Sequence, residues 1–250
     1  SLPNKFDCGC FQTLSINELY KLIESIKSNN SINDIPLFKV TTRNNYNKHT
    51  SKVDTSSLQI NSTSDERTMF HVASNFNCLE IASPLVNPFS GSYLTRLMSD
   101  STQGPSASAG AGYGAILRLA THKEHNINLL EATPFKPNNG KLFYSNEYKK
   151  LPSHFDQNEI KIGLHTDVRA TFDRSAYNQC IYNPKGPLID QVYTSTIILD
   201  KTASFEELEL AQVLLNAAYL GTYLSAIHRK SKRLVLTLIA KQSPPRKKRE

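Results

Sequence analysis

The sequence predicts an α/β domain, a sheet flanked by helices, and three observations predict it. Residues 15–28 repeat apolar side chains at helical spacing. The short runs Thr68–Ala73, Ile160–His165 and Gln191–Leu199 are apolar or alternating in the manner of strands. Finally, a long apolar helix after Ser204 is followed by the nearly continuous apolar run Leu234–Ile239, the helix-then-buried-strand unit of a parallel sheet. At 250 residues the chain fits one such domain.

The first helix places Ile16, Leu19, Tyr20, Leu22, Ile23 and Ile26 on its apolar positions. Ser15 stands where it caps the first turn, with Glu18 three residues on to complete a capping box. Residues 29–67 are rich in Asn, Ser, Thr and Lys and read as weak strands, such as Ile35–Val40, in polar loops. The run Thr68–Ala73 then delivers the polar stretch Ser74–Glu80 at its carboxyl end, where open α/β sheets bind ligands. From Thr102 to Gly114 the chain is built almost entirely of small residues. Two further strands, Ile160–His165 and Gln191–Leu199, are separated by a loop containing Asn183–Pro187, and the helix from Ser204 runs to about Ala226.

Composition narrows the function. Hydrophobic residues make up 39% and charged residues 20%, and no apolar run approaches the roughly 20 residues of a membrane span, so the expectation is a soluble chain with no membrane partner. Of the net charge of +7, residues 241–250 supply +4 through five basic residues against Glu250, leaving +3 on the body. A nucleic-acid partner is therefore expected only through that tail, whose Pro244–Arg249 segment also has the form of a nuclear-import signal. Ser1–Lys5 lacks the basic and apolar regions of a secretory signal, so the expected location is intracellular, in cytoplasm or nucleus, with a secreted effector as the alternative. Cys8, Cys10, Cys78 and Cys180 do not have zinc-site spacing, and reduced thiols without metal or other cofactor are expected.

The small-residue run offers backbone N–H groups that approach an anion closely ahead of a helix N-terminus, the outline of a diphosphate cradle; a close helix–sheet contact made of Ala and Gly accounts for it equally. Four blocks, His71–Glu80, Thr102–Pro105 with its Ala/Gly tail, Asp190–Ser195 and Ala217–Leu224, together resemble in content and order the macrodomain-like proteins that bind or hydrolyse ADP-ribose, in particular effector-type arginine ADP-ribosylhydrolases. The resemblance spans residues 68–240. It implies a three-layer macrodomain-like mixed sheet flanked by helices as the core; outside it, residues 1–67 are expected to form a helical and loop extension packed on the core, and 241–250 a disordered basic tail.

The resemblance further implies ADP-ribose contacts from Asn75 or Asn77 on the ribose and from Gln103, Gly104, Pro105, Ser106, Gly110, Ala111 and Gly112 around the diphosphate, with Tyr113 a candidate to pack against adenine or ribose. Asp167, Asp173 and Asp190 are the candidate catalytic carboxylates, since hydrolysis needs a carboxylate to orient a water beside an oxocarbenium-like centre. The chain lacks the Gln-Glu-Glu of poly(ADP-ribose) glycohydrolases and a glycine-rich second phosphate loop at Leu199–Thr202, which points away from poly-chain cleavage. The expected activity is removal of mono-ADP-ribose from a modified protein, with the arginine linkage of that family as the candidate bond; a non-catalytic ADP-ribose reader and, more remotely, a nucleic-acid-binding module are the alternatives.

Overall fold

A computed structural model describes residues 8–29, 55–80, 94–99, 105–143, 155–175, 179–199 and 202–239. The run Ile35–Val40, the pair Gln103–Gly104 and the basic tail lie outside these residues. Seven strands are described: β1 (Cys10–Ser15), β2 (Thr68–Ala73), β3 (Lys161–Arg169), β4 (Phe172–Arg174), β5 (Cys180–Tyr182), β6 (Leu188–Thr194) and β7 (Arg233–Val235). The described helices are α1 (Ile16–Asn29), α2 (Thr55–Ile60), α3 (Leu94–Ser99), α4 (Pro105–Gly110), α5 (Gly112–His125) and α6 (Phe205–His228).

Five strands form one mixed sheet in the order β1-β3-β6-β2-β7, and β4 pairs with β5 in a separate two-stranded sheet. β6, β2 and β7 run parallel, while β3 is antiparallel to both β6 and β1. Side chains alternate across the sheet. Met69, Ile162, Leu164 and Val192 face α1 and α6, where they pack with Ile16, Leu19 and Leu224. Phe70, Val168 and Ile189 face the other way and pack against Ala111 at the α4–α5 junction. The result is the expected three-layer α/β sandwich.

The capping box at the start of α1 forms as its sequence dictates: the Ser15 N–H donates to Glu18 Oε2 at 2.7 Å, and the Glu18 N–H donates to Ser15 Oγ at 3.1 Å. Ser204 and Glu207 repeat the device at α6, with the Ser204 N–H donating to Glu207 Oε2 at 2.7 Å. α6 is long and apolar enough to cross a membrane by length and composition. In the fold, Leu210, Leu214, Ala217, Ala218 and Leu224 bury its apolar faces within the protein.

The structure differs from the sequence reading at several points. Residues 1–67 read as a helical and loop extension packed on the core; within them β1 is an edge strand of the main sheet, in register with β3 from Cys10 opposite Thr166 to Ser15 opposite Lys161, and α1 packs on one face. Within 29–67, the described part forms α2 and a single turn at Ser64–Glu66 instead of strands, with the buried Gln59 donating to the Ala107 carbonyl at 2.9 Å. β7 pairs only over Arg233–Val235, because the chain beyond it leaves the sheet with Leu238 exposed. The small-residue run is helical from Pro105 onward and breaks at Ala111, so its described part forms the close helix–sheet contact that the sequence left open beside a phosphate cradle.

Small side chains in that run let helix and sheet approach closely. A Cβ on Gly114 would lie 2.7 Å from His165 Cε1 and 2.8 Å from Val168 Cγ2, and one on Gly112 would meet the Phe172 ring at 3.0 Å. Gly114→Ala is accordingly expected to lower stability by about 1–3 kcal/mol through overpacking, measured as a lower midpoint in urea unfolding. An unchanged midpoint would show that α5 has room to move.

Candidate functional site

The chain leaves the parallel neighbours β2 and β6 in opposite directions. From β2 it passes over the α4/α5 face and returns at β3, beyond β6; from β6 it enters α6 on the opposite face and returns at β7, beyond β2. Between the carboxyl ends of two such strands the helices part, leaving a crevice that side chains of the following loops line. Here the loops are Ser74–Glu80 after β2 and the residues after Thr194. They are joined at the start, where the Ser74 N–H donates to the Thr194 carbonyl at 2.8 Å.

The Ser74–Glu80 loop is tightly held. Asn75 Nδ2 donates to the Leu79 carbonyl at 2.6 Å, and the Leu79 N–H donates to Asn77 Oδ1 at 3.1 Å, an Asx turn. The Phe76 N–H donates to the Gly140 carbonyl at 2.7 Å and the Leu129 N–H to the Phe76 carbonyl at 2.8 Å, which lashes the loop to residues 127–142. Gly140 has φ of 76°, and a Cβ there would fall 2.5 Å from the Asn77 carboxamide, so the position requires glycine. Of the two asparagines left open by the sequence, Asn77 is buried beneath Gly140 and Asn75 stays partly exposed.

Behind the loop lies a buried polar network centred on Arg118, which is fully buried on the sheet-facing side of α5. Its Nε donates to the Cys78 carbonyl at 3.0 Å, Nη1 to His165 Nδ1 at 3.1 Å, and Nη2 to Glu80 Oε2 at 3.3 Å and to Ser108 Oγ. The guanidinium carbon lies 3.9 Å from the centre of the Tyr193 ring, a cation–π contact in a dry interior. Tyr193 in turn donates to Gln191 Oε1 at 2.5 Å, and Gln191 Nε2 donates to the Ala107 carbonyl at 3.0 Å. Glu80 Oε1 accepts from the Ser74 hydroxyl at 2.5 Å. A chain of charge and hydrogen bonds thus runs from the helix layer, through the interior, to the rim of the crevice.

Because arginine only donates, His165 Nδ1 must accept, and its Nε2–H donates to the Cys8 carbonyl at 2.6 Å. Burial, reinforced by the Arg118 charge, lowers the His165 pKa to about 3. Burial likewise lowers His71 to about 4; its Nε2 lies 2.7 Å from Thr194 Oγ1, and Nδ1 has no partner among the described residues. Both imidazoles are neutral in the folded chain. Their unfolded counterparts take up protons as the pH falls through 6.5, so stability is intact above pH 6.5 and drains between 6.5 and 4. The expected loss from pH 7 to pH 5 is about 2 kcal/mol per histidine. Denaturant unfolding at the two pH values checks this, with His71→Phe removing about half of the pH slope; an unaltered slope in that variant would refute the assignment.

The three candidate aspartates are not gathered at the crevice. Asp190, which pairs in register with Met69, stands at the opposite, amino end of β6 and is buried. Arg229, just past α6, donates from Nε to Asp190 Oδ2 at 2.9 Å and from Nη2 to Asp167 Oδ2 at 2.8 Å. Asp167 occupies a β-bulge of β3 with φ of 53°, which turns its own N–H to Asp190 Oδ1 at 2.8 Å. These two carboxylates staple α6 to the sheet. Asp173, in β4, accepts from the Ser56 and Ser57 hydroxyls at 3.3 and 3.2 Å and from the Arg174 N–H at 2.7 Å. It is the one of the three not committed to Arg229.

Among the expected diphosphate contacts, Pro105 and Ser106 begin α4, whereas Gly110, Ala111 and Gly112 form the buried break between α4 and α5. The Tyr113 hydroxyl lies 2.9 Å from that of Tyr182, and its ring packs edge-on against Phe172, so it belongs to an aromatic cluster with the β4–β5 hairpin. Sequence reasoning missed Arg118 and Arg229 as organising residues. Arg118 had a signal: it is the sole charged residue between Asp100 and Lys123. All four cysteines are free thiols. Among the described residues, no group of three His, Cys, Asp or Glu side chains is placed to hold a metal ion.

No family model and no curated protein matches the sequence. Among solved structures, the chain is similar to poly(ADP-ribose) glycohydrolase from Thermomonospora curvata, with a TM-score of 0.41 and 11% identity over 90% of this chain. It spans 65% of the length of that protein's chain.

Proposed function

We propose that the chain binds ADP-ribose in the crevice at the carboxyl ends of β2 and β6 and removes mono-ADP-ribose from a modified protein. One observation carries the reading: the sequence block that resembles the macrodomain-like proteins, His71–Glu80, folds as a strand and a rigid polar loop at the point where the helices part. The partly exposed Asn75 is the ribose contact in this reading. A ligand with many hydroxyls and two phosphates suits a rim of hydroxyl and carboxamide groups, with the diphosphate expected near the residues that lead into α4. Asp167 and Asp190 hold Arg229, and Asp173 follows β3, which runs antiparallel to β6, so all three carboxylates stand toward the amino end of β6 and not at the rim of this crevice.

That commitment to Arg229 also favours a second reading, an ADP-ribose reader without turnover. The test is calorimetric titration of the purified protein with ADP-ribose against AMP, followed by release assays on arginine-, serine- and glutamate-linked ADP-ribosyl proteins. Micromolar binding that AMP does not reproduce, together with release of ADP-ribose from at least one of these substrates, supports the hydrolase. Binding without release leaves the reader, and absence of binding overturns both.

A further inference from the structure

Ser74 is where the buried network reaches the rim, and the chemistry of its neighbours fixes which way its hydroxyl works. Its Oγ lies 2.5 Å from Glu80 Oε1 and 3.3 Å from the Asn75 carbonyl, and both are acceptors. Glu80 is itself held by Arg118, at 3.3 Å between Nη2 and Oε2, with both side chains buried. The single Ser74 proton is therefore drawn inward, to the carboxylate. Its oxygen keeps accepting capacity, and among the described residues no donor is directed at it. Ser74 is partly exposed and follows β2 at its carboxyl end, so this capacity is open to a donor from a ligand.

We propose that Ser74 is a specificity-determining contact of the crevice, whose oxygen accepts a hydrogen bond from a ribose hydroxyl of the bound ligand while Glu80 and Arg118 hold its own proton inward. The inference rests on the ADP-ribose reading above and adds to it a polarity. A ligand group facing Ser74 must donate, so hydroxyls are accepted there and phosphate oxygens or carboxylates, which only accept, are turned away. Arg118 and Glu80 act through Ser74 and are positioning residues.

The experiment is calorimetric titration of ADP-ribose into the unmodified protein, Ser74→Ala and Ser74→Thr, with the thermal midpoint of each. Ser74→Ala is expected to bind about three- to tenfold more weakly, the worth of one neutral hydrogen bond. Ser74→Thr, which keeps the hydroxyl, should stay within about twofold and melt close to the unmodified protein, whereas Ser74→Ala takes a donor from the buried Glu80 carboxylate and should melt lower. Equal affinity in Ser74→Ala overturns the proposal, as does a loss that Thr does not rescue, since that pattern belongs to loop packing. If the unmodified protein itself fails to bind, the ADP-ribose reading falls first and is identified as the cause.

Discussion

Arg118→Met should lower the unfolding free energy by about 3–5 kcal/mol, a large share of the roughly 5–15 kcal/mol that holds an ordinary domain together. Methionine is close to arginine in length and fills much of the same space, so the loss is electrostatic in origin. It leaves the Glu80 carboxylate in the interior without its cation, and the Cys78 carbonyl and His165 Nδ1 without a donor. Arg118→Lys should cost less, because the charge is retained, but it cannot reproduce a fork that reaches four acceptors. Urea unfolding of the two variants measures both. A Met variant within about 1 kcal/mol of the unmodified protein would show that water enters the interior and takes the place of the guanidinium.

Arg229→Ala is the second large effect, expected at about 2–4 kcal/mol. The side chain is only partly buried, but it neutralises Asp190, whose side chain is 3% exposed, and Asp167, which is 58% exposed. Burial by itself would lower the Arg229 pKa; hydrogen bonds and attraction from Asp190, then Asp167, outweigh it and raise the value. Truncation leaves a buried carboxylate beside a second one. The double variant Arg229→Ala/Asp190→Asn should recover part of the loss, because it removes the stranded charge. Absence of recovery in that cycle would mean that Arg229 acts by packing alone. The point bears directly on function: an inactive Asp190 or Asp167 variant is expected to have lost structure, so stability must be measured before either is assigned a role in turnover.

The fold was legible wherever periodicity and local capping agreed. β2 falls on Thr68–Ala73 as the apolar run indicates, and Ser15 and Ser204 start their helices because each finds a glutamate three residues on. β1 was not legible, because Cys10–Ser15 is a half-exposed edge strand whose alternation is weak, and its place is decided by pairing with β3. The run from Ala107 to Gly114 reads alike as a phosphate loop or a helix of small residues. What settles it is distance: only a helix bearing almost no side chains fits against His165 and Val168. For the site, the Ser74–Glu80 loop was visible as a polar end to a buried strand. The grouping of the aspartates was not legible, because sequence order shows which carboxylates follow a strand, while the cation that binds Asp167 and Asp190, Arg229, comes from the far end of α6.

The lashing of Phe76 between Gly140 and Leu129 also sets how the molecule breathes. Two backbone bonds to one residue mean that the crevice loop cannot lift without freeing residues 127–142, so the amides of Phe76, Leu129 and Leu79 should exchange with solvent deuterium as one cooperative unit, at one opening free energy. A ligand seated against Ser74 and Asn75 would then slow exchange far from its own contacts, and protection at Leu129 would report occupancy of the crevice.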